Sequence, residues 1–139
     1  MANQLLIREC REDEAPTLLE LWRQSTHTSP TDTLEDIHQA MKCSAASVLV
    51  ADIDGRIVGS VIGTFDGWRG NIYRIAVLPE ARRLGVARSL LAEAETWMAA
   101  QGARRITALV EKDHPWATGF WNAAGYTWHQ SMIRYFRDI

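Results

Sequence analysis

"AVLPEARRLGVARSLLAEAE", residues 76–95, is the stretch on which the reading of this chain turns. An apolar run from Ile75 to Leu78 stops at Pro79, two arginines follow, and a helical pattern begins at Gly85. Proline cannot donate to a strand ladder, so the strand ends there. Leu90, Leu91, Ala94, Trp97 and Met98 share one helical stripe, and Gly102 stands where a C-cap belongs. The spacing therefore predicts a helix from about Gly85 to Gln101. A helix start exposes N–H groups without intrahelical partners and carries the positive end of the dipole. Arg82, Arg83 and Arg88 add full charges, Gly85 lets a bulky anion approach the backbone, and Ala87 keeps the first turn uncrowded. The combination is a pyrophosphate cradle at the carboxyl end of a strand. The plain alternative is a turn glycine beside solvated arginines, and a short motif alone does not separate the two.

Working outward, "NIYRIAVL" precedes the cradle as a strand and "RRITALVE" follows the helix as a nearly continuous apolar, buried parallel strand. Residues 71–111 thus form a βαβ unit. Upstream, Asp54-Gly55 between two apolar runs in "SVLVADIDGRIVGSVIGTF" is a hairpin signal. "QLLIREC" is a short strand. "EDEAPTLLELWRQS" is a helix with Leu18, Leu21 and Trp22 inward, and Thr33 or Asp32 caps a second helix, "LEDIHQAMK". Downstream, "HPWATGFWNAAGY" reads as a short helix ended by Gly125, and "WHQSMIRYF" as one or two closing strands. The architecture expected is α/β, one mixed sheet flanked by helices in a single domain, residues 1–139.

The bulk numbers bound the function. The chain has 139 residues, 47% apolar and 23% charged, with a formal charge of −2. That balance lacks the basic surplus that phosphate neutralisation requires and argues against a nucleic-acid partner. No apolar run is long enough to span a bilayer, and the amino terminus shows no signal-peptide pattern, so the expectation is a cytoplasmic protein with no membrane partner. Cys10 and Cys43 read as reduced thiols. His27, His38 and His129 offer no ligand spacing, so no metal is expected. A P-loop, GxxxxGK(S/T), is missing, as is a Rossmann GxGxxG after a strand.

"IAVLPEARRLGVARSLLAEAE" resembles motif A of the GNAT N-acetyltransferase superfamily, Arg/Gln-x-x-Gly-x-Gly/Ala, filled here by Arg82-Arg83-Leu84-Gly85-Val86-Ala87. "VADIDGRIVGSVIG" is similar to the family's central hairpin and "GFWNAAGY" to its closing FYxxxGF segment, so the resemblance runs in order over residues 5–130. It implies a single GNAT-like domain whose twisted sheet is mixed but largely antiparallel, with one parallel βαβ unit. It implies acetyl-CoA as acyl-donor co-substrate, without a metal. The cofactor would lie along Ile75, Ala76 and Val77, around Arg82, Arg83, Leu84, Gly85, Val86, Ala87, Arg88 and Ser89, and against His114 and Trp121. The two parallel strands would splay, leaving the Val77 N–H as an oxyanion donor.

Direct attack of an amine on the thioester also needs a neutral amine and a proton for the departing thiolate. Many members use the tyrosine of FYxxxGF, where this chain has Trp121, which is no acid. Tyr126, Tyr73 and water remain, with Tyr126 more readily read as a core aromatic beside Gly125. Strand alternation puts Asn71, Tyr73 and Ile75 on one face. Glutamate bases of the family fall near Asn71 and Leu109, where this chain has none. In "DGWRG", Asp66 is a candidate base, Arg69 a grip for an acidic acceptor group and Trp68 an apolar wall; a turn with a local Asp–Arg contact explains them equally. His114 either replaces the family's cofactor-contacting Asn or is a surface residue, and Trp116 and Trp128 stay undecided. The acceptor, a small-molecule or peptide amine, would enter over "THTSPTD", which names no class. Family habit allows a homodimer through the closing strands. The competing readings are an acyl-CoA-binding or regulatory domain with little catalysis, and a purely structural domain.

Overall fold

The computed structural model describes residues 4–26, 28–114 and 117–139. His27, Pro115 and Trp116 lie outside the described residues, as do residues 1–3. The chain divides into two compact units, Met1–Leu109 and Val110–Ile139.

The first unit carries a five-stranded sheet in the order β1 (Leu5–Glu9), β2 (Ala46–Ile53), β3 (Arg56–Phe65), β4 (Gly70–Val77) and β5 (Ile106–Ala108). The first three pairings are antiparallel and β4–β5 is parallel, as expected of a mixed sheet with one βαβ unit. Asp54 and Gly55 both take positive φ, 53° and 87°, at the tip of the β2–β3 hairpin, the backbone a tight, right-twisting turn requires.

Helices cover both faces. α1 (Ala15–Ser25) buries Leu18, Leu21 and Trp22, and α2 (Leu34–Lys42) starts at Thr33, whose side chain accepts the Asp36 N–H. The Trp22 indole meets the sheet at Ser60 of β3. α3 (Val86–Gln101) lies on the opposite face, burying Val86, Leu90, Leu91, Ala94 and Met98, with Trp97 only half-buried. Its seat is set by Gly59: a Cβ there would stand 3.0 Å from Val86 Cγ1 and 3.1 Å from Leu90 Cδ1. Gly59 pairs with Val77, so this close approach holds the first turn of α3 beside the end of β4.

Three expectations are corrected. β5 is only three residues long, and Leu109 and Val110 beyond it are exposed rather than buried. Continuous apolar character does not make a strand where no neighbour continues the ladder. The row Asn71, Tyr73, Ile75 breaks at a bulge: Tyr73 pairs with Ile62 and Ala76 with Ser60. Two β4 residues, Arg74 and Ile75, therefore oppose Val61 alone, and Ala76 takes up the row in place of Ile75. The segment read as closing strands has no regular structure, and its side chains from Thr127 to Ile139 are exposed; apolar alternation needs a partner strand, and among the described residues it has none.

The second unit contains α4 (Ala117–Ala123), ended by Gly125 at φ 89° with the Tyr126 N–H closing back on the Trp121 carbonyl at 2.9 Å.

Candidate active site

The site is built around the free edge of β4. The Leu78 N–H donates to Val58 O at 2.8 Å, so Val77, opposite Gly59, belongs to a non-hydrogen-bonded pair and turns its N–H and C=O away from β3. On that side β5 pairs only with Gly70, Asn71 and Ile72. From Tyr73 to Val77 no strand lies there among the described residues. The ladder between β4 and β5 therefore stops at Ile72, and the Val77 amide points to the side away from β3.

Beyond Val77, Pro79–Ala81 make one 3₁₀ turn before the cradle loop. Arg83 and Gly85 both take positive φ, 67° and 77°. Left-handed backbone costs a residue with a Cβ about 1–2 kcal/mol, so Arg83 is held against its preference. At Gly85 a Cβ would meet nothing within 4 Å; the glycine is required by φ and opens onto empty space. No side chain caps α3. Its first intrahelical bond runs from Ser89 N–H to Gly85 O at 3.1 Å, which leaves the Val86 and Ala87 amides ahead of the ladder, pointing out of the helix end. Arg83, Leu84 and Arg88 are exposed around it, while Arg82, Ala87 and Ser89 are half-buried and Val86 is core. The geometry is that of an anion site.

Other candidates take different places. Tyr73 is exposed on the sheet face that carries Ser60 and Trp22, and Asn71 shares that face with its amide oxygen accepting from Thr107 Oγ1 at 2.8 Å. Asp66 is the acceptor of its own turn: Oδ1 takes the Trp68 and Arg69 N–H groups, each at 2.8 Å. The Arg69 and Trp68 N–H bonds hold its carboxyl below the usual carboxylate range, and a carboxylate stabilised as the anion is a weakened base. The Arg69 guanidinium stacks 4.0 Å from the Trp68 ring centroid. In the second unit, Trp121 is buried and edge-packed on Tyr126 and Phe120, with centroids 4.8 and 5.2 Å away. Tyr126 thus lays its ring against Trp121. His114 sits in a turn, its N–H on Glu111 O at 3.4 Å. Among the described residues no group of His, Cys, Asp or Glu is disposed to hold a metal.

Sequence reasoning missed the polar group behind β4. The Trp22 Nε1–H donates to Ser60 Oγ at 2.9 Å, and Ser60 Oγ donates to Arg74 O at 3.0 Å. Arg74 itself has φ 53°, pairs with Asp32 and lies 5.4 Å over the Trp22 ring. Burial pushes the Asp32 carboxyl up, and the Arg74 bond and Ser29 N–H outweigh it to leave it lowered. The available signals were a serine inside "IVGSVIG" and an arginine inside "IYRIAV".

No helix is long and apolar enough to cross a membrane among the described residues. Comparison with known proteins bears on the family and the fold. The model of the acetyltransferase (GNAT) family matches residues 7–126. An aminoglycoside N-acetyltransferase, AAC(6')-Iy, solved in complex with CoA, superposes with a TM-score of 0.84 at 20% identity, covering 100% of this chain and 98% of that one. The aminoglycoside 6'-N-acetyltransferase AAC(6')-IG from Acinetobacter haemolyticus gives 0.80 at 22% identity, with 96% and 99% covered. A transcriptional regulator from Bacillus halodurans C-125 gives 0.83 at 17%, with 96% and 100% covered. At these identities the structures speak to the fold, and the family match speaks to the chemistry: the chain belongs to the acetyltransferase (GNAT) family, whose acyl-donor co-substrate is acetyl-CoA.

Proposed function

We propose that the chain transfers an acetyl group from acetyl-CoA directly to the primary amine of a small molecule or peptide. The observation that carries the reading is the continuity of two features: an unpaired strand edge ending at the Val77 N–H, and an uncapped helix start at Gly85. The cradle would take the CoA pyrophosphate, with the Val86 and Ala87 amides and Arg83 as donors. The acyl arm would lie along β4, and the Val77 N–H would receive the oxyanion of the tetrahedral intermediate, a contribution of about 10²–10³ in rate for one well-placed donor. Asn71 cannot take a proton and Asp66 is committed to its turn, so the amine enters already neutral. Nitrogen attacks the thioester carbon, the C–S bond breaks, the Tyr73 phenol, the exposed phenol of β4, supplies the proton to the thiolate, and the proton shed by the nitrogen passes through solvent to restore the phenol. In-line holding of both substrates provides the rest of the acceleration.

The solved neighbours that act on aminoglycosides make a polyamine sugar a reasonable member of the acceptor panel, beside peptide amino termini and simple amines. Thiol release from acetyl-CoA across that panel tests the proposal. The expected result is release above the amine-free rate with at least one acceptor, lost in Gly85→Arg. Release that no amine accelerates would leave a CoA-binding module instead.

A further inference from the structure

The β4 bulge decides which amide faces the gap. Without the extra residue the alternation would run on unbroken from Tyr73, and the Val77 N–H would turn into the β3 ladder. The bulge is also disfavoured on its own: Arg74, a residue with a Cβ, sits at φ 53°, and its carbonyl accepts from a side chain, Ser60 Oγ. We propose that Ser60 and Trp22 are positioning residues that hold this bulge and thereby set the rate of acetyl transfer. The inference rests on the reading of Val77 as the oxyanion donor.

The chemistry of the pair fixes its direction. An indole Nε1–H only donates, so Ser60 Oγ must accept from Trp22 at 2.9 Å and spend its one proton on the Arg74 carbonyl at 3.0 Å. Ser60 is 0% exposed and Trp22 3%, so water does not stand in for either group. A buried donor or acceptor left without its partner carries its full desolvation penalty. The side chain of Arg74 is fastened from the other direction, over the Trp22 ring and onto Asp32 in the segment before α2. Backbone and side chain of the bulge residue therefore converge on α1 and on the segment along which the acceptor is expected to enter. The phosphate cradle lies on the far side of Pro79 and shares none of these bonds. Loosening the relay should accordingly disturb the Val77 amide and spare the phosphate contacts, which a generally destabilised fold would not do.

The test compares Ser60→Ala, Ser60→Thr, Trp22→Phe and a protein whose Ala76–Val77 amide is replaced by an ester, which deletes only the Val77 N–H. Ser60→Ala should lower kcat about tenfold and leave the Kd for CoA within about twofold. Ser60→Thr, which keeps the hydroxyl, should recover most of kcat. Trp22→Phe, which leaves the Ser60 hydroxyl in place, should lower kcat less and carries the test if Ser60→Ala folds poorly. Unchanged kcat in both Ser60→Ala and Trp22→Phe beside a slow ester overturns the relay alone, and so does a parallel loss of kcat and CoA affinity. A fully active ester overturns the donor role of Val77 and the relay with it.

Discussion

Gly85 offers the cleanest separation of backbone conformation from charge in the cradle. Its φ of 77° lies where asparagine and aspartate are the best tolerated residues after glycine. A Cβ there meets nothing within 4 Å, so Gly85→Asn and Gly85→Asp carry the same conformational cost and little steric cost from the protein. Each should lose about 1 kcal/mol of stability, a drop in Tm of about 3–4 °C for a chain of this size. They differ by one negative charge placed at the helix start. Two unit charges about 4 Å apart interact by about 1 kcal/mol in water and about 4 kcal/mol at an effective dielectric of 20. Gly85 is exposed, so the lower figure applies to each charge of the CoA pyrophosphate, about 2 kcal/mol in all. The Kd for CoA, measured by calorimetry at low salt, should therefore be about thirtyfold weaker for Gly85→Asp than for Gly85→Asn. The gap should narrow as salt is raised to about 1 M, where the Debye length falls to about 3 Å. Equal Kd values for the two variants, within twofold at low salt, would refute the anion cradle however both compare with wild type.

Three further outcomes follow from particular bonds. Arg8 Nη1 and Nη2 grip Glu14 at 2.8 Å each, with Asp52 at 3.2 Å, and the Arg8 bond leads the causes that lower the Glu14 carboxyl from 4.5 to about 2. A depressed carboxylate stabilises the fold above its unfolded pKa and loses that contribution as pH falls through the folded one. Glu14→Gln should thus lower Tm by about 3–7 °C at pH 7, corresponding to about 1–2 kcal/mol after allowance for partial exposure. In thermal melts the difference from wild type should close between pH 4.5 and 2; a gap that persists at pH 2 contradicts the assignment. Asp66→Asn keeps an oxygen for the turn, so kcat should stay within about threefold and its pH profile should not move; an alkaline shift or a hundredfold loss in steady-state kinetics would restore Asp66 as a base. Because no base is assigned, log kcat/KM should rise with unit slope up to the pKa of the acceptor amine itself, and should track that pKa across acceptors of different basicity.

What the sequence made legible was whatever follows from local chemistry. Asp54-Gly55, Thr33, Gly85 and Gly102 each meet a conformational demand that few residues satisfy, and each stands where it was expected. The bulge was not legible, because an extra residue in a strand is a property of the pairing. "NIYRIAVL" reads as unbroken alternation until Ile62 and Ser60 of β3 are set beside it. Asp66 was ambiguous for the opposite reason. One carboxylate can be a base or a turn acceptor, and only the folded chain shows its Oδ1 taking two N–H bonds at 2.8 Å. "ITALV" ran past the true end of β5 because apolar residues mark a strand and also its exposed continuation. The relay of Trp22, Ser60 and Arg74 joins residues 38 and 14 positions apart, a distance over which no local pattern carries information.

The central claim is direct transfer from thioester to amine, and a single-turnover experiment tests it most closely. Enzyme in excess over acetyl-CoA, mixed with a saturating acceptor from the panel and quenched over time, should release free CoA thiol and acetylated amine together, one to one, with the intact mass of the chain unchanged throughout. Thiol released without acetylated amine, or an acetyl group found on the chain before the amine reacts, would contradict it.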